Sequence, residues 1–184
     1  FRSIFIATAE IAAVQDGGKL FGGKDARAST PAPRAESFAA VLIDPFAREI
    51  RGVDLPTYPV DEHNEVADQA AFRRAIAQWQ HHIGDDIPTG SASFRHDCMA
   101  MIDDEGLLRA DAAYWRLEIG PEEERVMRGG RYLVYGYDGT SAECAVPVDL
   151  DVDFWRRHVR WVDDEEGRAW CREHGIESPR WQDR

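Results

Sequence analysis

Phe38-Ala-Ala-Val-Leu-Ile-Asp-Pro-Phe-Ala-Arg-Glu-Ile-Arg-Gly-Val-Asp54 is the stretch that decides the fold. Phe38 to Ile43 is an uninterrupted apolar run of strand length. Asp44-Pro45 ends it, because proline has no N–H for a ladder and fixes its own φ. Beyond the break the pattern changes. Ile50 and Val53 stand among Glu49, Arg51 and Asp54, so the second strand is half exposed. The stretch is a β-hairpin with one buried and one half-solvated strand, opening an α+β domain. It holds no catalytic constellation.

Outward from the hairpin, Leu55 to Glu65 contains two prolines and reads as a connecting loop. A helix follows from about Asp68 to Ile83. Phe72, Ile76, Trp79 and Ile83 recur at helical spacing and define one apolar face. Gly84 is placed to end it, and His81 and His82 fall in the last turn, where a cation favours the macrodipole. Ser91 to Met101 alternates, with Phe94, His96, Cys98 and Ala100 on one side of a single strand. Asp103-Asp104-Glu105-Gly106 is an acidic turn. Tyr114 to Ile119 alternates again. Arg131 to Tyr137 is an aromatic and aliphatic strand, Asp138-Gly139 a hairpin turn, and Ala142 to Val148 the return strand. Asp153 caps a helix carrying Phe154, Trp155, His158, Trp161 and Val162. Asp163 to His174 forms a second short helix that stops at Gly175.

These elements predict one α+β domain over residues 37–175, an antiparallel or mixed sheet of about five strands packed by about three helices. Residues 1–36 read as an N-terminal segment and flexible linker, rich in Gly, Ala, Ser and Pro, and 176–184 as a tail. The Gly pairs beside Lys19 and Lys24 approach a phosphate loop in spacing. Asp25 stands where Ser or Thr would bind magnesium, so the motif is incomplete.

Composition narrows the function classes. The 184 residues carry 34 acidic against 22 basic side chains, a net charge of -12. Such a chain does not favour direct nucleic-acid binding or an anionic membrane, both of which need a basic face. It favours a basic protein partner, possible targets including a nucleic-acid-binding protein whose DNA the acidic surface imitates. Cys98, Cys144 and Cys171 are odd in number and widely spaced. They suggest neither a zinc site nor a disulfide framework, and reduced thiols fit a cytoplasmic protein.

Three constellations bear on chemistry. Asp149, Asp151 and Asp153 form a DxDxD pattern that on a strand would project three carboxylates from one face, a candidate magnesium or calcium site. The EF-hand template fails, since Phe154 and Arg160 stand where Gly and Glu belong. Asp149, Asp151 and His96 together would be the metal set of a hydrolase. His96-Asp97 resembles the His-Asp doublet of metal phosphohydrolases, but its surroundings are strand-like rather than helical. Cys98 with a distant histidine lacks a local cause for a lowered thiol pKa, and Ser91 and Ser93 lack a nucleophile elbow. No cofactor is implied. The third constellation is the aromatic and acidic C-terminal region. Trp155, Trp170 and Trp181, with Asp163, Asp164, Glu165 and Glu166, suit a protein interface, because aromatic anchors offer large area at low entropic cost.

Val41-Leu-Ile-Asp-Pro-Phe-Ala-Arg-Glu-Ile-Arg51, Met101-Ile-Asp-Asp-Glu-Gly-Leu-Leu108 and Gly130-Arg-Tyr-Leu-Val-Tyr-Gly-Tyr-Asp-Gly139 occur in an order that resembles a family of small domains of unknown function, common in phage, plasmid and actinobacterial genomes. The resemblance spans roughly Phe38 to Val162. It implies an α+β fold and mobile-element ancestry, and it brings no catalytic residues with it. The function expected is that of a non-enzymatic binding or inhibitory protein. The alternatives are the metal-dependent hydrolase and a structural subunit of a homo-oligomer.

Overall fold

A computed structural model describes residues 36–60, 66–85, 87–95, 97–120, 126–137 and 143–176. The linker and tail expected at the two ends, the Asp138-Gly139 turn, His96 and Trp181 lie outside these residues, Glu36 and Ile176 excepted.

The opening hairpin forms as its sequence requires. β1 (Ser37–Asp44) and β2 (Glu49–Pro56) pair antiparallel from Ser37 opposite Pro56 to Asp44 opposite Glu49. The breaking aspartate builds the turn. Its Oδ1 accepts from the Phe46 and Ala47 N–H groups, and its Oδ2 accepts from Arg131 Nε at 2.8 Å.

The fold is α+β with antiparallel sheets. The larger has the order β2-β1-β7-β4-β3, built with β3 (Thr89–Arg95), β4 (Cys98–Asp103) and β7 (Tyr132–Tyr137). A sixth strand, β8 (Glu143–Cys144), pairs with the end of β7, and Val146 N–H then donates to the Ala39 carbonyl of β1. The return strand is thus much shorter than Ala142 to Val148. A separate three-stranded sheet, β6-β5-β9, joins β5 (Tyr114–Leu117), β6 (Arg128–Gly129) and β9 (Val159–Val162).

Helices and the second sheet cover both faces of the first. α1 (Gln69–Ile83) starts on the Asp68 cap and ends at Gly84, whose φ is 143°. Ala75, Trp79 and Ile83 pack on Ala40, Leu42, Leu133 and Tyr135. On the opposite face, Val41, Ile43, Cys98, Ala100 and Val134 meet Trp115 and Leu117 of the small sheet and Trp155 of α2 (Val152–His158). β1 therefore reads as a continuous apolar run because odd and even residues are both buried. α3 (Asp164–Glu173) closes the far side of the small sheet, where Tyr114, Val162 and Cys171 are buried together. The approach is close at Gly167, where an added Cβ would stand 2.3 Å from the Tyr114 ring. Among the described residues no helix is long and apolar enough to cross a membrane.

Two further expected elements are corrected. Ser91 to Met101 is not one strand but the hairpin of β3 and β4, with Ala92 opposite Ala100 and a register shift between Ser93 and Arg95. Arg95 and Asp97, two residues apart, bond each other across the turn. The alternation survives the error because Phe94, Cys98 and Ala100 still reach one cluster from the two arms of the hairpin. The helix read from Asp153 through Val162 is shorter. It is capped by Asp151 and stops at His158, and Val159-Arg-Trp-Val162 runs on as β9 beside β5. β-branched and aromatic residues there fit a pleated ladder better than another helical turn.

Candidate functional site

The 3₁₀ turn Val148–Leu150 leads into α2 and sets one wall of a cleft. Leu117, Leu150 and Trp155 make its floor, Phe94 and Phe154 its sides, and Ile119 part of its lip. Its volume is about 220 Å³. Trp155 is fixed there because its Nε1 donates to the Leu150 carbonyl at 2.9 Å and its ring meets Phe94 edge-on, centroids 5.1 Å apart. Two apolar side chains on the segments that form this cleft remain in solvent. Ile119 is 50% exposed, and Val148, next to the lining residue Asp149, is 91% exposed. A larger hollow lies at Glu36, Thr57, Tyr58 and Pro59.

The polar rim is an ion network centred on Arg95. Its guanidinium donates to both carboxylate oxygens of Asp97 and, at 2.7 and 3.1 Å, to both of Asp149. The Arg95 bond holds the Asp149 carboxyl below its ordinary pKa, and the two aspartates keep Arg95 charged. Arg95 was not a candidate from the sequence, where it is one arginine in a serine-rich run. Only the β3–β4 turn and the 3₁₀ turn bring its partners to it.

DxDxD does not form a single cluster. Asp149 bonds Arg95. Asp151 Oδ1 accepts from Phe154 N–H as the helix cap, and Asp153 Oδ1 lies 3.4 Å from Arg156 on the next turn. The strand geometry that would aim all three to one side is replaced by a 3₁₀ turn and a helix start. Among the described residues no group of three or more His, Cys, Asp and Glu side chains could hold a metal ion. Burial, with the Asp97 charge, pushes the Cys98 thiol up to about 12, and burial pushes Cys171 up to about 11. Both are far from thiolate character at neutral pH.

The expected interface residues separate too. Trp155 is a correction: at 1% exposure it is a core residue and the cleft floor, not a surface anchor. Trp170 is half-buried and stacks on His174, centroids 3.9 Å apart. Asp163 caps α3 through Glu166 N–H, and Asp164 bonds Arg168 at 2.8 Å. Glu166 pairs with both Arg116 and Arg160, while Glu165 is exposed. The C-terminal acids thus mostly cap or pair within the fold.

A second polar feature lies at the end of β4. The Asp103 side chain is almost fully buried. Its Oδ1 accepts from Glu105 N–H, its Oδ2 has no hydrogen-bond partner, and Arg109 Nη1 stands 3.8 Å away. Burial outweighs both and raises its pKa. Gly130, with φ of 76°, makes room: a Cβ there would stand 2.7 Å from the Asp103 Cβ.

No protein-family model, curated protein or solved structure matches the chain.

Proposed function

We propose that this is a non-enzymatic binding protein of mobile-element ancestry that engages a basic protein partner, with the Trp155 cleft taking an apolar side chain of that partner. The observation that carries this reading is Ile119, half exposed at the lip of a cleft floored by Trp155, with the 91% exposed Val148 next in sequence to the lining residue Asp149. Exposed apolar groups around a pocket, edged by charge, are what a binding hot spot needs. Asp149 lines the cleft with its side chain 66% exposed, and Asp151 and Asp153 are exposed at the start of the helix that follows it. A net charge of -12 would steer a basic partner toward it.

Capture from host lysate at low salt tests the reading. The expected result is one stoichiometric basic protein, released as salt rises. A chain carrying Val148→Asp and Ile119→Asp is more acidic yet lacks both exposed apolar side chains, and it should lose that partner at least tenfold in affinity. Retention by the double variant at parent affinity, or release of the partner only by detergent, would overturn the reading.

A further inference from the structure

We infer that the free edge of β3 is a self-association surface, on which a second copy of this chain pairs antiparallel through Ser91. The inference is independent of the basic partner proposed above. Among the described residues β3 ends the six-stranded sheet and pairs with β4 alone. Asp104 N–H donates to the Pro88 carbonyl, so the bonded pairs of this ladder continue through Gly90–Ile102 and Ala92–Ala100. The intervening residues Thr89, Ser91 and Ser93 therefore direct N–H and C=O away from β4. Among the described residues nothing pairs with that outer side. Arg95 marks where it stops, since its carbonyl accepts from the Ser93 hydroxyl.

The occupant follows from what this edge carries. Edge strands are ordinarily protected by charge, proline or a covering element. Thr89 to Phe94 has no charge and no proline. On the α1 side the outward-facing positions Thr89, Ser91 and Ser93 offer only short side chains to a foreign peptide, while Phe94 and Arg95 line the Trp155 cleft on the opposite face. An antiparallel copy centred on Ser91 sets Ser91 against Ser91 and Thr89 against Ser93. Each outward pair exchanges two backbone bonds, giving about six in all. Hydroxyl meets hydroxyl on the α1 side, a favourable cross-strand pairing, and no like charges are placed opposite. The result is one continuous sheet across both copies, with a closed, isologous interface.

Two chains of charge -12 repel at long range, so salt should strengthen this association, the reverse of its effect on a basic partner. The test is molar mass by sedimentation equilibrium across concentration at low and high salt. The expected result is a monomer–dimer equilibrium that shifts toward dimer as salt rises. Ser91→Pro removes an outward donor at a position where an edge strand tolerates proline, and Ser91→Lys sets two ammonium groups opposite each other. Each should weaken the dimer at least tenfold, with an unchanged circular dichroism spectrum showing that the fold persists. Under mild oxidation Ser91→Cys should cross-link to itself and Ser93→Cys should not, which fixes the register. A wild-type monomer at every concentration and salt overturns the inference. So does a dimer that Ser91→Pro and Ser91→Lys leave intact, or one in which Ser93→Cys links to itself and Ser91→Cys does not. A monomer whose Thr89, Ser91 and Ser93 amides gain exchange protection only with a captured basic partner would assign the edge to that partner's strand instead.

Discussion

The six-stranded sheet has two edges, and they are finished in opposite ways. β2 carries Glu49, Arg51 and Asp54 and ends in Pro56. α2 is laid against it: Arg156 Nε donates to the Ile50 carbonyl at 3.2 Å, and a Cβ added at Gly52 would stand 3.6 Å from the Val152 side chain. β3 is neutral from Thr89 to Phe94, rich in hydroxyls, and uncovered among the described residues. The difference teaches that one edge is protected twice over, by composition and by a helix, while the other is protected by neither. Protection of β2 depends on Trp155, since that indole fastens α2 to the core. The candidate binding cleft depends on the same ring, so edge protection and the cleft are one piece of construction.

The comparison can be broken most severely at Trp155. Trp155→Ala removes a side chain packed in the main core, with an expected loss of about 3–5 kcal/mol on denaturant unfolding. Hydrogen exchange should then quicken along β2 and not along β3. Unchanged exchange in β2 would mean that α2 is not what guards that edge. Asp151→Ala takes only the cap from the same helix and should cost about 1 kcal/mol, again with the effect confined to the β2 side.

Asp103, on the strand next to β3, should act with the opposite sign. Its folded-state pKa is raised, so between the ordinary and the raised value the native state holds a proton that the unfolded chain has released. Folding stability from this group is therefore greatest below the ordinary aspartate pKa and falls as pH rises through the raised value. Above both, the charged carboxylate is buried at a cost. Asp103→Asn keeps an acceptor for Glu105 N–H and should raise the melting temperature at neutral pH, with the gain shrinking as pH falls. A gain independent of pH would show that the carboxylate's charge is not the cause. The smallest effect on stability is expected from Ser91→Lys, within about 0.5 kcal/mol because the residue is exposed. A larger loss would show that β3 is held by more than β4.

The opening hairpin and α1 were legible because each carries its own instructions. Asp44-Pro45 breaks a strand locally, and Asp68, Gly84 and the Phe72–Ile83 face define a helix without help from elsewhere. The errors came where local signals were equivocal. Phe94 and Cys98 have the right parity for one strand and also for two arms of a hairpin. Trp161 is seven residues from Phe154, a helical spacing, yet β5 offered its backbone a ladder. The site was less legible than the fold. Asp149, Asp151 and Asp153 look alike in sequence and differ in role because a 3₁₀ turn and a helix cap point them apart. Ile119 and Val148 gave no signal, since an apolar residue in a sequence does not announce that nothing covers it.

Composition, chain breaks and periodicity by themselves determined the acidic charge, the α+β class, the first hairpin and α1, because those follow from interactions between residues near in sequence. Only the tertiary structure decided that α2 covers one sheet edge while the other is uncovered among the described residues, that Trp155 is floor rather than surface, and that Arg95 gathers Asp97 and Asp149. Those outcomes depend on contacts between segments tens of residues apart, whose pairing is set by which apolar faces the sheet must bury.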